Sequence, residues 1–141
     1  ITLDRPLPLP LAAFDRTRRQ FNVDVLLTVL QRLPAGASVR LVGVTNQDLF
    51  ARGSSYVFAT TDARRDSVVS VARLHSDDGT LSADRYRKIL RRQLGFTFGF
   101  QSSHDRACVM FYAATLAELD AKGSAWCGGE ADAIRSIQGQ R

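Results

Sequence analysis

Apolar residues at Phe21, Val25, Leu26, Val29, Leu30 and Leu33 recur at the spacing of one helical face, which predicts an amphipathic helix over residues 18–33. Pro34 and Gly36 end it. Ahead of this helix, residues 1–3 read as a short strand. The alternating prolines of residues 6–10 exclude helix and central strand, so that segment is an extended connector. After it the period changes. Residues 39–44 read as a buried strand, 45–50 as a turn or short helix, and 55–60 and 68–72 as further strands rich in aromatic and β-branched residues, with a polar loop at 62–66 between them. Helical spacing returns at Tyr86, Ile89, Leu90, Gln93, Leu94 and Phe96, behind a loop at 75–80 and with Ser82 as N-cap of a helix starting near Ala83. Gly99 breaks that helix. A short helix at 115–122 capped by Thr115 and a last helix at 130–137 complete an α+β pattern.

At 141 residues and 45% hydrophobic, the chain is long enough to bury one core, and residues 1–141 read as a single domain. The formal charge of +5 comes mainly from arginine, because Lys88 and Lys122 are the only lysines. Such an excess attracts nucleic acid or an acidic partner where it clusters. Here acidic residues are interspersed and there is no basic run, which favours a solvated mixed surface. No apolar run approaches the ~20 residues of a spanning helix, so no membrane is expected. The first residue is Ile1 and no signal-peptide pattern follows, which leads to the expectation that an upstream segment was removed. Two cysteines define no disulfide framework, and the compartment stays open with the cytoplasm favoured.

Residues 88–110 carry the candidate chemistry. A zinc-peptidase helix places two histidines one turn apart, with a glutamate beside the first as general base. A glycine then bends the chain toward a third ligand, and a methionine turn forms the floor. In this chain Arg92-Gln93-Leu94-Gly95-Phe96 occupies the helix, Gly99 the bend, Ser102 the third-ligand position and Cys108-Val109-Met110 the turn. The framework is present without its ligands.

The sequence resembles the archaemetzincins, whose pattern is HExxHxxGxxHC, four residues, C, x, M, and later CxxC. Against it Arg92 stands at the first His, Gln93 at the Glu, Phe96 at the second His, Ser102 at the third and Ser103 at the first structural Cys. Gly99, Cys108 and Met110 match, Cys127 survives from the CxxC, and Glu130 takes its last position. The segments 18–21, 41–45, 48–50, 56–58 and 116–122 also resemble family blocks in the same order. The resemblance implies a single-domain metzincin-like fold, a mixed twisted sheet packed with helices, that lacks the family's N-terminal strand and helix, with an N-terminal edge left open or covered by a partner. It also implies a substrate cleft bounded by Tyr56, Val57 and Phe58 and floored by Arg92, Gln93, Phe96 and Met110.

Zinc catalysis is not expected, since a guanidinium stays protonated, Phe has no donor atom and an amide takes up no proton near neutral pH. Phe96 is expected to fill the vacated space against Met110. No metal or other cofactor is expected; Cys108 and Cys127, with Glu130 and His104, make a candidate residual structural site. The family pattern implies that the two cysteines share a site and lie within the ~7 Å that a disulfide spans. His75 and His104 read as solvated loop residues, and Ser102-Ser103-His104-Asp105 as a loop, because consecutive residues rarely assemble a triad. No glycine pair is followed by the Lys-Ser/Thr of a phosphate loop. The leading expectation is a catalytically inactive domain that binds an unidentified protein or peptide in the old cleft. The alternatives are a nucleic-acid or acidic-partner binder using its arginines, and a residual hydrolase with rebuilt chemistry.

Overall fold

A computed structural model describes residues 6–36 and 39–138. The strand expected at 1–3 lies outside them. Residues 6–10 are an extended connector that leads into a 3-10 turn, Leu11–Ala13. Strand β1 (Phe14–Asp15) pairs antiparallel with β2 (Gln20–Asn22) across a tight turn that Arg19 closes in the left-handed region at φ 56°. Helix α1 (Val23–Gln31) follows directly.

The expected helix at 18–33 is thus a strand followed by a helix. The boundary has a local cause: the Asn22 side chain accepts a hydrogen bond from the Asp24 N–H, which caps α1 and leaves Phe21 free to pair in a sheet. Gln20 is tied across that sheet, donating to Asp48 Oδ2 at 2.9 Å and to the Ser55 carbonyl at 3.0 Å. The segment expected as a turn or short helix contains strand β4 (Leu49–Phe50), parallel to β2, which completes a three-stranded sheet in the order β1-β2-β4.

The second sheet has the order β3-β6-β5, with β3 (Val42–Thr45) parallel and β5 (Ala59–Thr61) antiparallel to β6 (Ser67–Ser70). Strand β6 is buried along its whole length, as a central strand must be. Strand β3 is an edge and Val44 on it is exposed, contrary to the expectation of a buried strand. The strand expected at 55–60 is shorter and later than its composition implied. Val57 makes only an isolated bridge to Leu49, because the chain crosses there from one sheet to the other.

Helix α2 (Gly79–Thr97) packs across β5 and β6. Its N-cap is Asp78, whose carboxylate accepts from the Thr80 and Leu81 N–H groups. Ser82 is not the cap: it is buried within the first turns, where its hydroxyl bonds both backbone groups of Ser76. At the other end Gly99, at φ +90°, lets the Phe100 N–H reach the Gly95 carbonyl and the Gly99 N–H reach that of Phe96. That pair of bonds is a glycine-dependent helix stop, and it fixes where the chain leaves the helix. Helix α3 (Leu116–Ala121) carries the expected Thr115 cap, with Glu118 closing a capping box, and helix α4 (Gly129–Gln138) follows. Among the described residues no helix is long and apolar enough to cross a membrane.

Candidate functional site

Beneath α2 lies the turn Cys108-Val109-Met110, with all three residues fully buried. Its approach to the helix is close: a Cβ built on Gly95 would lie 2.4 Å from Met110 Sδ and 2.8 Å from a Trp126 ring carbon. Any larger residue at that position pushes the helix off the turn. Gly95 therefore sets the spacing of the site, which helical periodicity alone gives no reason to anticipate.

Over this floor the three positions that resemble zinc-ligand positions converge. Arg92 Nη2 donates to Ser102 Oγ at 3.0 Å, its Nε donates to the Met110 carbonyl at 3.3 Å, and its guanidinium carbon stands 4.6 Å from the Phe96 ring centroid. Tyr112 flanks the same group at 5.4 Å. Burial pushes the Arg92 guanidinium below its ordinary pKa, with Tyr112 acting in the opposite direction. The donor set does not fit zinc, because a guanidinium, a phenyl ring and one neutral hydroxyl supply no metal-binding triad. Phe96 packs against the Met110 cluster and is only half-buried, being a wall of the site as well as filler.

Gln93, expected on the floor of a cleft, is buried and committed elsewhere. Its Oε1 accepts from Thr61 Oγ1 at 2.6 Å, and Thr61 Oγ1 lies 2.8 Å from Ser67 Oγ, which ties α2 to β5 and β6. Met110 is likewise beneath the surface and lines neither cavity near the site. Tyr56, Val57 and Phe58 do meet Arg92 and Gln93, around a small recess of about 30 Å³. The Tyr56 hydroxyl is spent on the Ala114 carbonyl at 2.9 Å, and Arg73 stacks on its ring.

The larger opening is a cavity of about 340 Å³ on the other side of Arg92, lined by residues that include Arg65, Phe96, Gly99, Phe100 and Tyr112. Of these, Arg65, Phe100 and Tyr112 escaped sequence reasoning. Arg65 sits in a polar loop that carries no periodic signal, and its φ of 68° folds it toward the end of α2. A Cβ on Gly99 would come within 2.9 Å of Arg65 Nη1, so the glycine that stops the helix also makes room for this guanidinium.

Both lysines are buried here. Lys122 Nζ donates to the Val109 and Phe111 carbonyls at 2.6 and 2.9 Å, holding the turn from below, and Lys88 Nζ donates to the Leu119 and Asp120 carbonyls. Burial, with repulsion from Arg92 and Lys88, pushes the Lys122 amine down from 10.5 to about 7. Segment 116–122 had signalled a helix and nothing about this role.

Cys108 and Cys127 form a disulfide with Cα atoms 5.2 Å apart, so the expected proximity holds. Glu130 Oε2 lies 3.4 Å from Cys127 Sγ and 3.8 Å from Cys108 Sγ. These three are the only metal-capable cluster among the described residues, and His104 is not part of it. Both sulfurs are engaged in the bond, and metal ligation requires them as free thiolates. His75 and His104 are exposed, as expected of loop residues.

A buried methionine turn, a helix stopped by glycine above it and three converging side chains define the scaffold of a metzincin-type peptidase centre. Residues 12–136 match Peptidase family M54, and the chain belongs to that family. It is 38% identical to the archaemetzincin of Methanopyrus kandleri over 120 residues, covering 84% of this chain and 68% of that protein. The archaemetzincin of Haloquadratum walsbyi is 32% identical over 138 residues, 91% of this chain and 79% of that one. The crystal structure of the Methanopyrus kandleri archaemetzincin superposes with a TM-score of 0.80 at 34% identity, covering 94% of this chain and 73% of the other. That of the Archaeoglobus fulgidus archaemetzincin, complexed with malonate, gives 0.74 at 27% identity over 89% of this chain and 78% of its own.

Proposed function

We propose that this M54 domain has lost zinc peptidase chemistry and acts by binding a protein or peptide in the cleft beside α2. The observation that carries the reading is the cluster of Arg92, Phe96 and Ser102: Arg92 contacts both of the others where the family resemblance places metal ligands, and a cation and a ring occupy that space. Gln93 supports it further, since the side chain at the position of the general base is buried and hydrogen-bonded to Thr61. An amide there takes no proton from water.

What favours peptide over nucleic acid is the disposition of the arginines. Arg64, Arg73, Arg85, Arg87 and Arg135 each stand within ion-pair distance of a carboxylate, which takes these five guanidinium groups out of any basic surface. A phosphate backbone needs such cations free. The test is metal analysis and a peptidase assay after incubation with zinc. No zinc at this site and no turnover are expected. One equivalent of zinc that persists in Cys108→Ser/Cys127→Ser and is lost in Ser102→Ala, or peptide cleavage that depends on it, overturns the proposal.

A further inference from the structure

Two guanidinium groups border the 340 Å³ cavity, and neither has a carboxylate partner among the described residues. Arg92 spends Nε and Nη2 on Met110 and Ser102, and its Nη1 has no acceptor among the described residues. The Arg65 side chain makes no hydrogen bond at all among the described residues, and it is exposed at the cavity rim over Gly99. One acidic residue, Asp62, lines the same cavity, and both of its oxygens are already engaged: Oδ2 accepts from Gln31 Nε2 at 2.6 Å and Oδ1 from the Asp66 N–H at 2.9 Å. Three rings, Phe96, Phe100 and Tyr112, share the remaining walls with Thr61, Gly99 and Gln101. A partly desolvated guanidinium is held in place by its own bonds, a second stands at the rim with no side-chain partner among the described residues, and the one carboxylate nearby is held by Gln31 and the Asp66 N–H rather than by either guanidinium. Together they form a site with donors facing an anion.

We infer that this cavity binds the carboxylate of a peptide, with Arg92 as the fixed donor, Arg65 as the closing one, and the three rings seating an apolar side chain beside it. The assignment rests on the peptide-binding reading above and names the group recognised. A guanidinium fork matches a planar carboxylate, and the three rings favour a chain end or an acidic side chain next to an aromatic one over a free inorganic ion. The carboxylate has two sources, a chain terminus or an acidic side chain, and they are separable.

The experiment is calorimetric titration of the full chain with three N-acetylated tetrapeptides ending in phenylalanine: a free acid, its amide, and an amide with one alanine replaced by glutamate. Inorganic phosphate serves as a competitor. The free acid, the glutamate peptide or both should bind about tenfold tighter than the neutral amide, with a preference that weakens as salt rises. Arg65→Met, at an exposed position with no side-chain bond to lose among the described residues, should cut that preference to about twofold or threefold, what Arg92 alone supplies. Preference for the free acid alone identifies a chain terminus, and preference for both identifies either source. Equal binding of all three, an unchanged preference in Arg65→Met, or displacement of the peptides by equimolar phosphate overturns the inference. Equal binding would leave a peptide cleft without a carboxylate pocket. Zinc-dependent cleavage with an intact Arg65-dependent preference would instead remove the noncatalytic reading and leave the pocket.

Discussion

Two places in this molecule resemble metal positions of its family, and they have been rebuilt in opposite ways. At the end of α2 the replacement is noncovalent: Arg92 stacks on Phe96 and bonds Ser102, joining side chains that already lie within one helix and the loop after it. At the C-terminal site it is covalent, with Cys108 bonded to Cys127 across a separation of 19 residues. A metal does two things at once, holding distant chain segments together and presenting a charge. The C-terminal site has kept the cross-link, and the α2 site has kept the positive charge. The first bears on stability, and the second leaves a cation at the border of an open cavity.

Breaking the cross-link should have the largest effect. Cys108→Ser/Cys127→Ser, or reduction of the native protein, should lower unfolding stability by about 3 kcal/mol, the scale for a loop of this length. Chemical denaturation with and without reductant measures it. A loss near zero would mean that the bridging contacts around it, the Val109 N–H to Ala125 carbonyl bond and the packing of Trp126, hold the segment unaided. Next is Phe96→Ala, expected to lose about 2 kcal/mol, less than the ~3–5 of a fully buried ring because one side of it faces the cavity. A loss as large as 4 kcal/mol would make the ring core rather than wall.

The third concerns Lys122, which underpins both sites. Its amine is depressed to about 7 in the folded chain against 10.5 when free, so between these values the unfolded state holds more protons. Stability should then rise with pH across that window by up to about 1.4 kcal/mol per unit, and level off on either side. Lys122→Met should abolish the slope in denaturation curves taken at successive pH values. The smallest effect is expected from Arg92→Met, a change of about 1 kcal/mol or less, because it removes a partly buried cation together with two modest hydrogen bonds. Were that variant to unfold, the charge would be a structural element and the division drawn above would fail.

Sequence reading reached the α+β class, the helix that ends at Gly99 and the Thr115 cap because each rests on a local rule, and the approach of Cys108 to Cys127 because the resemblance to the family implied it. It missed the strand at Gln20–Asn22, since Phe21 fits a helical and an extended pattern equally and the Asn22 cap decides between them. It took the chain at Val57 for regular strand because aromatic and β-branched composition says nothing of where a chain changes sheets. Within the site, Arg92 and Phe96 share a helical face one turn apart, and the resemblance to the family implied that Ser102 meets them. Arg65 and Lys122 were not legible, because each meets the site through contacts distant in sequence.

The burial of Lys88 and Lys122 bears on how the surface will react. They are the only side-chain amines in the chain, at 5% and 3% exposure, and both nitrogens are bonded to backbone carbonyls. The outer cationic surface is guanidinium alone, so acylating reagents and amine-directed crosslinkers will find no lysine to modify while the fold is intact. The onset of lysine acylation then reports opening around α3 and the methionine turn, and the chain carries its own probe of whether that region is closed.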